Sequence, residues 1–350
     1  MSLKSVRIVG SGLIGTSLGL ALSQAGKSCL MIDSDVRAQE LSQDLVGPFS
    51  GGSIDLVIFA LPTKALADVV EREFVLNPQA GFIDIGSVKT KPKSIVDGSV
   101  IPLPRFCLTH PMAGREIGGA DSAQGDLFQG RPWIVDPRGV DADVLNMVEE
   151  LISICGSAKI VMTVEEHDSA VALISHLPQI ASSLLAQQLE SASEGALEIS
   201  GAGLRDTTRI AASNPELWSD IITSNSQALK PLLKKMYEDL GKFISTIDNS
   251  ESVKKFIAAG QVGRLRIPGK HGGKQRTYTY VPIVIDDKPG QLSLIFDECA
   301  EMSVNVEDLS IEHSPGQDRG LVTLAMSQDE AEKLSAHLTR KGWSVHPWRS

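Results

Sequence analysis

Gly10, Gly12 and Gly15 fall in the spacing G-x-G-x-x-G, directly after a β-branched run from Val6 to Val9 and where a helical stretch opens at Leu13 and Ile14. Glycines at these places allow a tight turn and let a pyrophosphate approach a helix N-terminus, whose free N–H groups and dipole favour anions. Asp33 follows Gly15 by 18 residues at the end of the next β-branched run. A carboxylate there accepts hydrogen bonds from ribose hydroxyls and repels a 2′-phosphate. Motif, element order and acid together predict dinucleotide binding, with NAD favoured over NADP. A glycine turn with no ligand is the plainer alternative, and Arg37, four residues beyond Asp33, keeps NADP open.

Two more turns, Ala60-Leu61-Pro62 and Gly86-Ser87, follow the runs Ile54 to Ala60 and Gly81 to Ile85. They sit at carboxyl ends of strands, where an open α/β sheet places its ligands. Ser87 could equally serve only as a helix cap. His110, within Thr109-His110-Pro111-Met112-Ala113-Gly114, ends a further strand. An imidazole held beside Pro and Gly titrates near neutrality and suits general-base chemistry, although a lone histidine is often structural. Farther on, His167 and His176 lie nine residues apart on one helical pattern, so a straight helix points them to opposite faces. Asp168, Ser175 and Gln179 share a face, and Pro178 is a place where the helix can bend. Arg205 and Arg209 stand in a zone with no Lys between Lys159 and Lys230. Guanidinium binds carboxylate through two parallel hydrogen bonds, so these cations suit an anionic substrate, or else salt bridges with Asp206. Trp218 reads as a packing residue.

The elements that must position these groups form three zones in a chain of 350 residues, a length that suggests two or three domains. From Val6 to about Thr163, strand runs alternate with helical stretches, the pattern of a doubly wound α/β sheet. From Val164 to about Ala259 strand signals vanish and apolar residues recur at helical spacing, as at Ala170, Leu173, Ile174, Leu177, Ala181 and Leu184. Residues 261–276 hold five Lys or Arg and no acid, and read as a linker; Tyr278 to Lys341 then reads as a small α+β module. The expected domains are 1–163, 164–260 and 277–350. With 43 acidic against 33 basic residues, the chain suits neither nucleic acid nor an anionic membrane surface. Cys29, Cys107, Cys155 and Cys299 show no metal-ligand spacing, so no metal is expected and the thiols read as reduced and cytoplasmic. The uncharged run Ile8 to Gly26 has the outline of a signal peptide or short membrane span, but its five glycines weigh against both.

Together these runs resemble the prephenate dehydrogenase family of tyrosine biosynthesis. The likeness is carried by Gly10 to Gly15, Asp84-Ile85-Gly86-Ser87-Val88-Lys89, His110-Pro111-Met112-Ala113-Gly114, Ser175-His176-Leu177-Pro178, and Gly201 to Arg209 with Trp218, over about residues 5–250. The resemblance implies a Rossmann domain, a helical domain that makes a homodimer, and NAD-dependent conversion of prephenate to 4-hydroxyphenylpyruvate. It implies that Gly10, Gly12, Leu13, Ile14, Gly15, Asp33, Ala60, Leu61, Pro62, Gly86 and Ser87 hold the cofactor. His110 would accept or hydrogen-bond the C4 hydroxyl proton, Ser87 would orient His110 or the nicotinamide and hydroxyl, and Arg209 would clamp a substrate carboxylate. His176, Gln179, Arg205 and Arg115 would complete the substrate site. Gln179 stands where the family often has a histidine, which removes a titrating group there. Arg115 leans towards prephenate over arogenate, whose added ammonium would prefer an acid. Asp287-Lys288-Pro289-Gly290-Gln291-Leu292 makes the tail look like an ACT domain, a ferredoxin-like module that senses amino acids, with tyrosine as its ligand. The alternatives are an arogenate dehydrogenase, a 3-hydroxyacid dehydrogenase, which generally uses a helical lysine, and a non-catalytic NAD-dependent sensor.

Overall fold

The β-branched runs pair into one sheet because each alternates its apolar side chains between two faces that helices cover. The computed structural model describes residues 3–114, 118–267, 278–313 and 318–347. Its first sheet comprises β1 (Ser5–Val9), β2 (Ser28–Ile32), β3 (Leu56–Phe59), β4 (Gly81–Asp84), β5 (Phe106–Pro111), β6 (Pro132–Asp136) and β7 (Ala158–Val161). The order is β2-β1-β3-β4-β5-β6-β7, parallel except where β6 runs antiparallel to β5. Helices α1 (Leu13–Gln24), α2 (Val36–Val46), α3 (Thr63–Leu76), α4 (Thr90–Asp97) and α5 (Ala142–Ile154) connect these strands. In β3, Leu56 and Ile58 join one apolar cluster with Leu18, Leu22 and Leu151, while Val57 and Phe59 join another with Leu66, Val70 and Val96. Burying each such side chain stabilises the fold by roughly 1.5–3 kcal/mol. This is the expected doubly wound sheet. The run Ile8 to Gly26 is spent on β1 and α1, both inside it.

The strand order reverses between β1 and β3, which opens a crevice at their carboxyl ends. Because β1, β3, β4 and β5 are parallel, Gly10, Ala60, Gly86 and His110 all emerge along that one edge.

The helical zone contains α6 (Val164–Val171), α7 (Leu177–Gln187), α8 (Glu194–Glu198), α9 (Ala202–Thr208), α10 (Pro215–Ser224), α11 (Ser226–Thr246) and α12 (Ser250–Arg264). Thr163 and Glu166 form a reciprocal capping box that starts α6, and Asn214 caps α10 ahead of Pro215. The continuous run Val164–Ser191 is long and apolar enough to cross a membrane by composition. It carries the buried polar residues His167, Asp168, His176 and Gln179. Helix α12 continues to Arg264, inside the segment that reads as a linker in the sequence, and residues 268–277 lie outside the described residues.

Compact units divide at Glu238, giving 1–238 and 239–350. The second unit holds β8 (Thr279–Asp286), α13 (Gln291–Glu301), β9 (Asp308–His313), β10 (Arg319–Met326), α14 (Gln328–Arg340) and β11 (Ser344–Val345). These form an antiparallel sheet in the order β11-β8-β10-β9, the βαββαβ arrangement of ferredoxin-like domains. Gly290, with φ of 89°, takes the left-handed turn into α13 that a side chain would strain.

Candidate active site

The glycine loop is built for close approach. Gly10 has φ of 114°, and a side chain on it would meet the Ala60 carbonyl oxygen at 2.2 Å; one on Gly15 would meet the Gly10 carbonyl at 1.9 Å. Gly12, by contrast, faces open space. Asp33, half-buried, accepts the Ser11 backbone N–H at 2.6 Å, which sets its carboxylate beside the loop. The Ser11 hydroxyl is fully buried without a partner in the protein. An open face at Gly12, an unpaired hydroxyl and a fixed carboxylate fit a dinucleotide whose phosphates and ribose supply the missing partners. Leu13 and Ile14 form the first turn of α1 behind the loop. Across the edge, the Thr63 N–H that follows Leu61 and Pro62 donates to Asp220 of α10 at 2.8 Å, tying this turn to the helical zone.

His110 is half-buried at the end of β5, and its Nδ1 lies 2.8 Å from Nε2 of His167 on α6. His167 Nδ1 in turn lies 2.8 Å from Oδ1 of Asp168. The Asp168 carboxylate also accepts the backbone N–H groups of Lys89 and Thr90, at 2.8 and 2.7 Å, and so caps α4 from another element. Beneath, the buried Lys89 ammonium donates to the Thr109 carbonyl at 2.6 Å and to the Asp84 carboxylate, which ties the ends of β4 and β5 together. Burial lowers Lys89 to about 7, against the pull of Asp168. Burial also holds His110 well below the usual 6.5, and the positive charge that His167, Lys89 and His176 can carry adds to that effect. The sequence expectation of a titration near neutrality is therefore corrected downward.

His167 and His176 do not point apart as a straight helix would require. Residues Ala172–His176 form a π-helical segment between α6 and α7, and its wider turn brings both rings inward, each 1% exposed. Asn225, between α10 and α11, joins them: its Nδ2 donates to the Asp168 carbonyl at 2.8 Å and lies 3.2 Å from His176 Nδ1. Trp218 meets the His176 ring edge-on at 6.1 Å between centroids. Beyond it a cavity of about 370 Å³ is lined by residues including Gln179, Ser183, Ser213, Pro215, Trp218 and Ile222. Gln179 donates to the Ile210 carbonyl at 2.9 Å, one residue from Arg209, which is exposed on the turn after α9. Arg205 is exposed on α9 and reaches the Ser200 carbonyl at 3.4 Å. Ser87 is half-buried in the turn after β4, and Arg115 lies outside the described residues.

The structure thus joins His110 to His167, Asp168, Lys89 and Asn225, none of which the sequence reading placed in the site. The dipeptide His167-Asp168 was the available signal, and the π-helical segment is what hid it. Elsewhere, Glu298, Glu301 and His337 gather on α13 and α14, with the Lys341 ammonium already 2.8 and 2.6 Å from the two carboxylates.

Comparison with known proteins agrees with this organisation. Residues 33–162 match the prephenate dehydrogenase nucleotide-binding domain and residues 163–258 the prephenate dehydrogenase dimerization domain. The probable prephenate dehydrogenase NovF of Streptomyces niveus is 30% identical, over 98% of this chain and 100% of its own. Synechocystis arogenate dehydrogenase superposes with a TM-score of 0.61 at 26% identity, over 75% of this chain and 98% of that one. The prephenate dehydrogenase of A. aeolicus, solved with hydroxyphenyl propionate and NAD+, has the same fold, with a TM-score of 0.67 at 24% identity over 77% of this chain and 99% of that one. By the two domain matches and the full-length likeness, the chain belongs to the prephenate dehydrogenase family.

Proposed function

We propose that the chain is an NAD-dependent prephenate dehydrogenase in which His110 is the general base. The observation that carries this reading is His110 itself, fixed at the same carboxyl edge of the sheet from which the dinucleotide loop emerges and kept neutral by its surroundings. NAD would be held by the loop Gly10 to Gly15, by Asp33 at the ribose, and by the turns Ala60 to Pro62 and Gly86-Ser87. When bound, its nicotinamide supplies the acceptor for the hydride that leaves C4 of prephenate. His110 takes the C4 hydroxyl proton as C4 becomes a carbonyl carbon, carbon dioxide leaves C1 with the ring's aromatisation, and the proton returns to the phenol oxygen. Ser87 orients the ring or the hydroxyl. Arg209 clamps a substrate carboxylate, and His176, Gln179 and Arg205 complete the substrate site, to which the sequence also assigns Arg115. A positioned base contributes about 10² to 10⁴ in rate; aromatisation supplies the driving force.

Steady-state rates with NAD and prephenate, arogenate or a 3-hydroxyacid test the reading, with carbon dioxide measured alongside NADH. Equal release of both from prephenate supports it; turnover of the 3-hydroxyacid alone would remove it.

The remaining assignments follow. The apolar residues Met236, Tyr237, Leu240, Ile244, Phe256 and Ile257, exposed on α11 and α12, support a homodimer. Four buried free thiols suit a cytoplasmic enzyme. The C-terminal module acts as an ACT-like regulatory domain with tyrosine as ligand, supported by its ferredoxin-like order and by a cavity of about 520 Å³ lined in part by Asp286, Gln291, Leu294, Arg319 and Trp343. Asp286, which pairs with Lys288 at 2.9 Å and with Arg319 at 3.9 Å, and Arg319 carry both charges at the wall of this cavity. Tyrosine inhibition that extra prephenate does not relieve, and that is lost on removing residues 277–350, is the expected result; unchanged inhibition after truncation would leave the module without this role.

A further inference from the structure

We infer that His167 is a positioning residue that fixes which nitrogen of His110 carries the proton, through a one-way chain of hydrogen bonds that begins at the Asp168 carboxylate. The inference rests on His110 being the base.

The direction of each bond follows from the chemistry of its end. Asp168 already accepts two backbone N–H groups, at 2.8 and 2.7 Å, so its oxygens act as acceptors. His167 must then donate from Nδ1, which in the neutral ring leaves Nε2 as an acceptor. The 2.8 Å contact between His167 Nε2 and His110 Nδ1 therefore needs its proton on His110. His110 Nε2 is left with a free lone pair, the form that can take a proton from substrate. A second line runs from Asn225. Its Nδ2 must donate to the Asp168 carbonyl, which can only accept, so the amide orientation is fixed and its other N–H meets His176 Nδ1. Neutral His176 therefore bears its proton on Nε2, opposite to His110.

The groups that set these charges come from every element around the ring. His167 and Asp168 stand on α6, His176 at the end of the π-helical segment, and Lys89 with its partner Asp84 beneath the strand ends. His167, Lys89 and His176 all disfavour a charged His110. Removing the His167 ring removes an acceptor and one of these groups, and it admits water. The base then samples both tautomers, and its ionisation moves up towards the ordinary value.

Nitrogen-15 spectra of the full-length protein labelled at its seven histidines read the tautomers directly. At pH 8, His110 should show a protonated Nδ1 and His176 a protonated Nε2, with assignments from His110→Asn and His176→Asn. His167→Ala should lower kcat at least ~10-fold and by no more than the ~10⁴ seen on losing the group that orients a catalytic histidine, with little change in KM for prephenate or NAD. The acid limb of kcat should move to higher pH, and His167→Gln, which restores an acceptor carbonyl, should recover part of kcat. A protonated Nε2 on His110 in the wild type would overturn the inference, as would a His167→Ala enzyme with unchanged kcat and pH limb while His110→Asn is impaired. Full activity in His110→Asn would instead remove the reading on which it rests, and both would fall.

Discussion

His110 Nδ1 and His167 Nε2 lie 2.8 Å apart, joining the end of a sheet strand to a helix 57 residues farther along the chain. The contact places a ring that can take a proton at the edge where the glycine loop emerges. It also commits that ring's inner nitrogen to the protein.

The low ionisation of His110 sets the expected pH dependence. A base must act from its neutral form, and burial first, then the charge that His167, Lys89 and His176 can carry, holds the His110 pKa well below 6.5. Turnover should therefore stay level from pH 8 down past 6.5 and fall only at more acid pH. An acid limb centred above 6.5 would contradict the burial argument.

Stability should depend on pH through the same rings. His110, His167 and His176 all have folded values below the ordinary 6.5, chiefly because burial disfavours their charged forms. The unfolded chain therefore binds more protons than the folded one as pH falls below 6.5, and stability present above that value is lost below it. The melting temperature should drop between pH 7 and 5.5, before carboxylates titrate. A flat profile across that window would show that the rings charge without cost.

If Asp33 holds the ribose as proposed, Asp33→Ala should raise KM for NAD and improve relative use of NADP, because a carboxylate in that position both binds ribose hydroxyls and repels a phosphate. Wild-type enzyme that used both cofactors equally well would count against Asp33 in this role.

Much of this architecture was legible in the sequence, and the reasons are local. Val6 to Val9, Ser28 to Ile32 and the glycine spacing encode strand, turn and helix within a few residues, so β1, β2 and the loop appear where expected. His110 was visible because it ends a strand. His167 was misjudged because the argument assumed 100° per residue, whereas the π-helical segment Ala172–His176 breaks that count. Lys89 stood in a run that carries the family likeness, but its role, like that of Asn225, went unread for another reason: their partners, Thr109 and Asp168, are 20 and 57 residues away, and no periodicity announces such pairs. The short final strand β11 carries only two residues and gave no pattern to read.

For the substrate clamp, Arg209→Ala should raise KM for prephenate about 10- to 150-fold, since a charge-assisted bidentate contact contributes roughly 1.5–3 kcal/mol. KM for NAD should stay unchanged. A loss confined to NAD would move Arg209 to the cofactor site.

The central claim is tested most directly by single-turnover conversion of prephenate with NAD in wild-type protein and in His110→Asn. The account predicts stoichiometric NADH and 4-hydroxyphenylpyruvate from the wild type, and a rate at least ~100-fold lower in the variant at nearly unchanged NAD affinity. A variant that turns over at the wild-type rate, with NAD bound equally well, would contradict it.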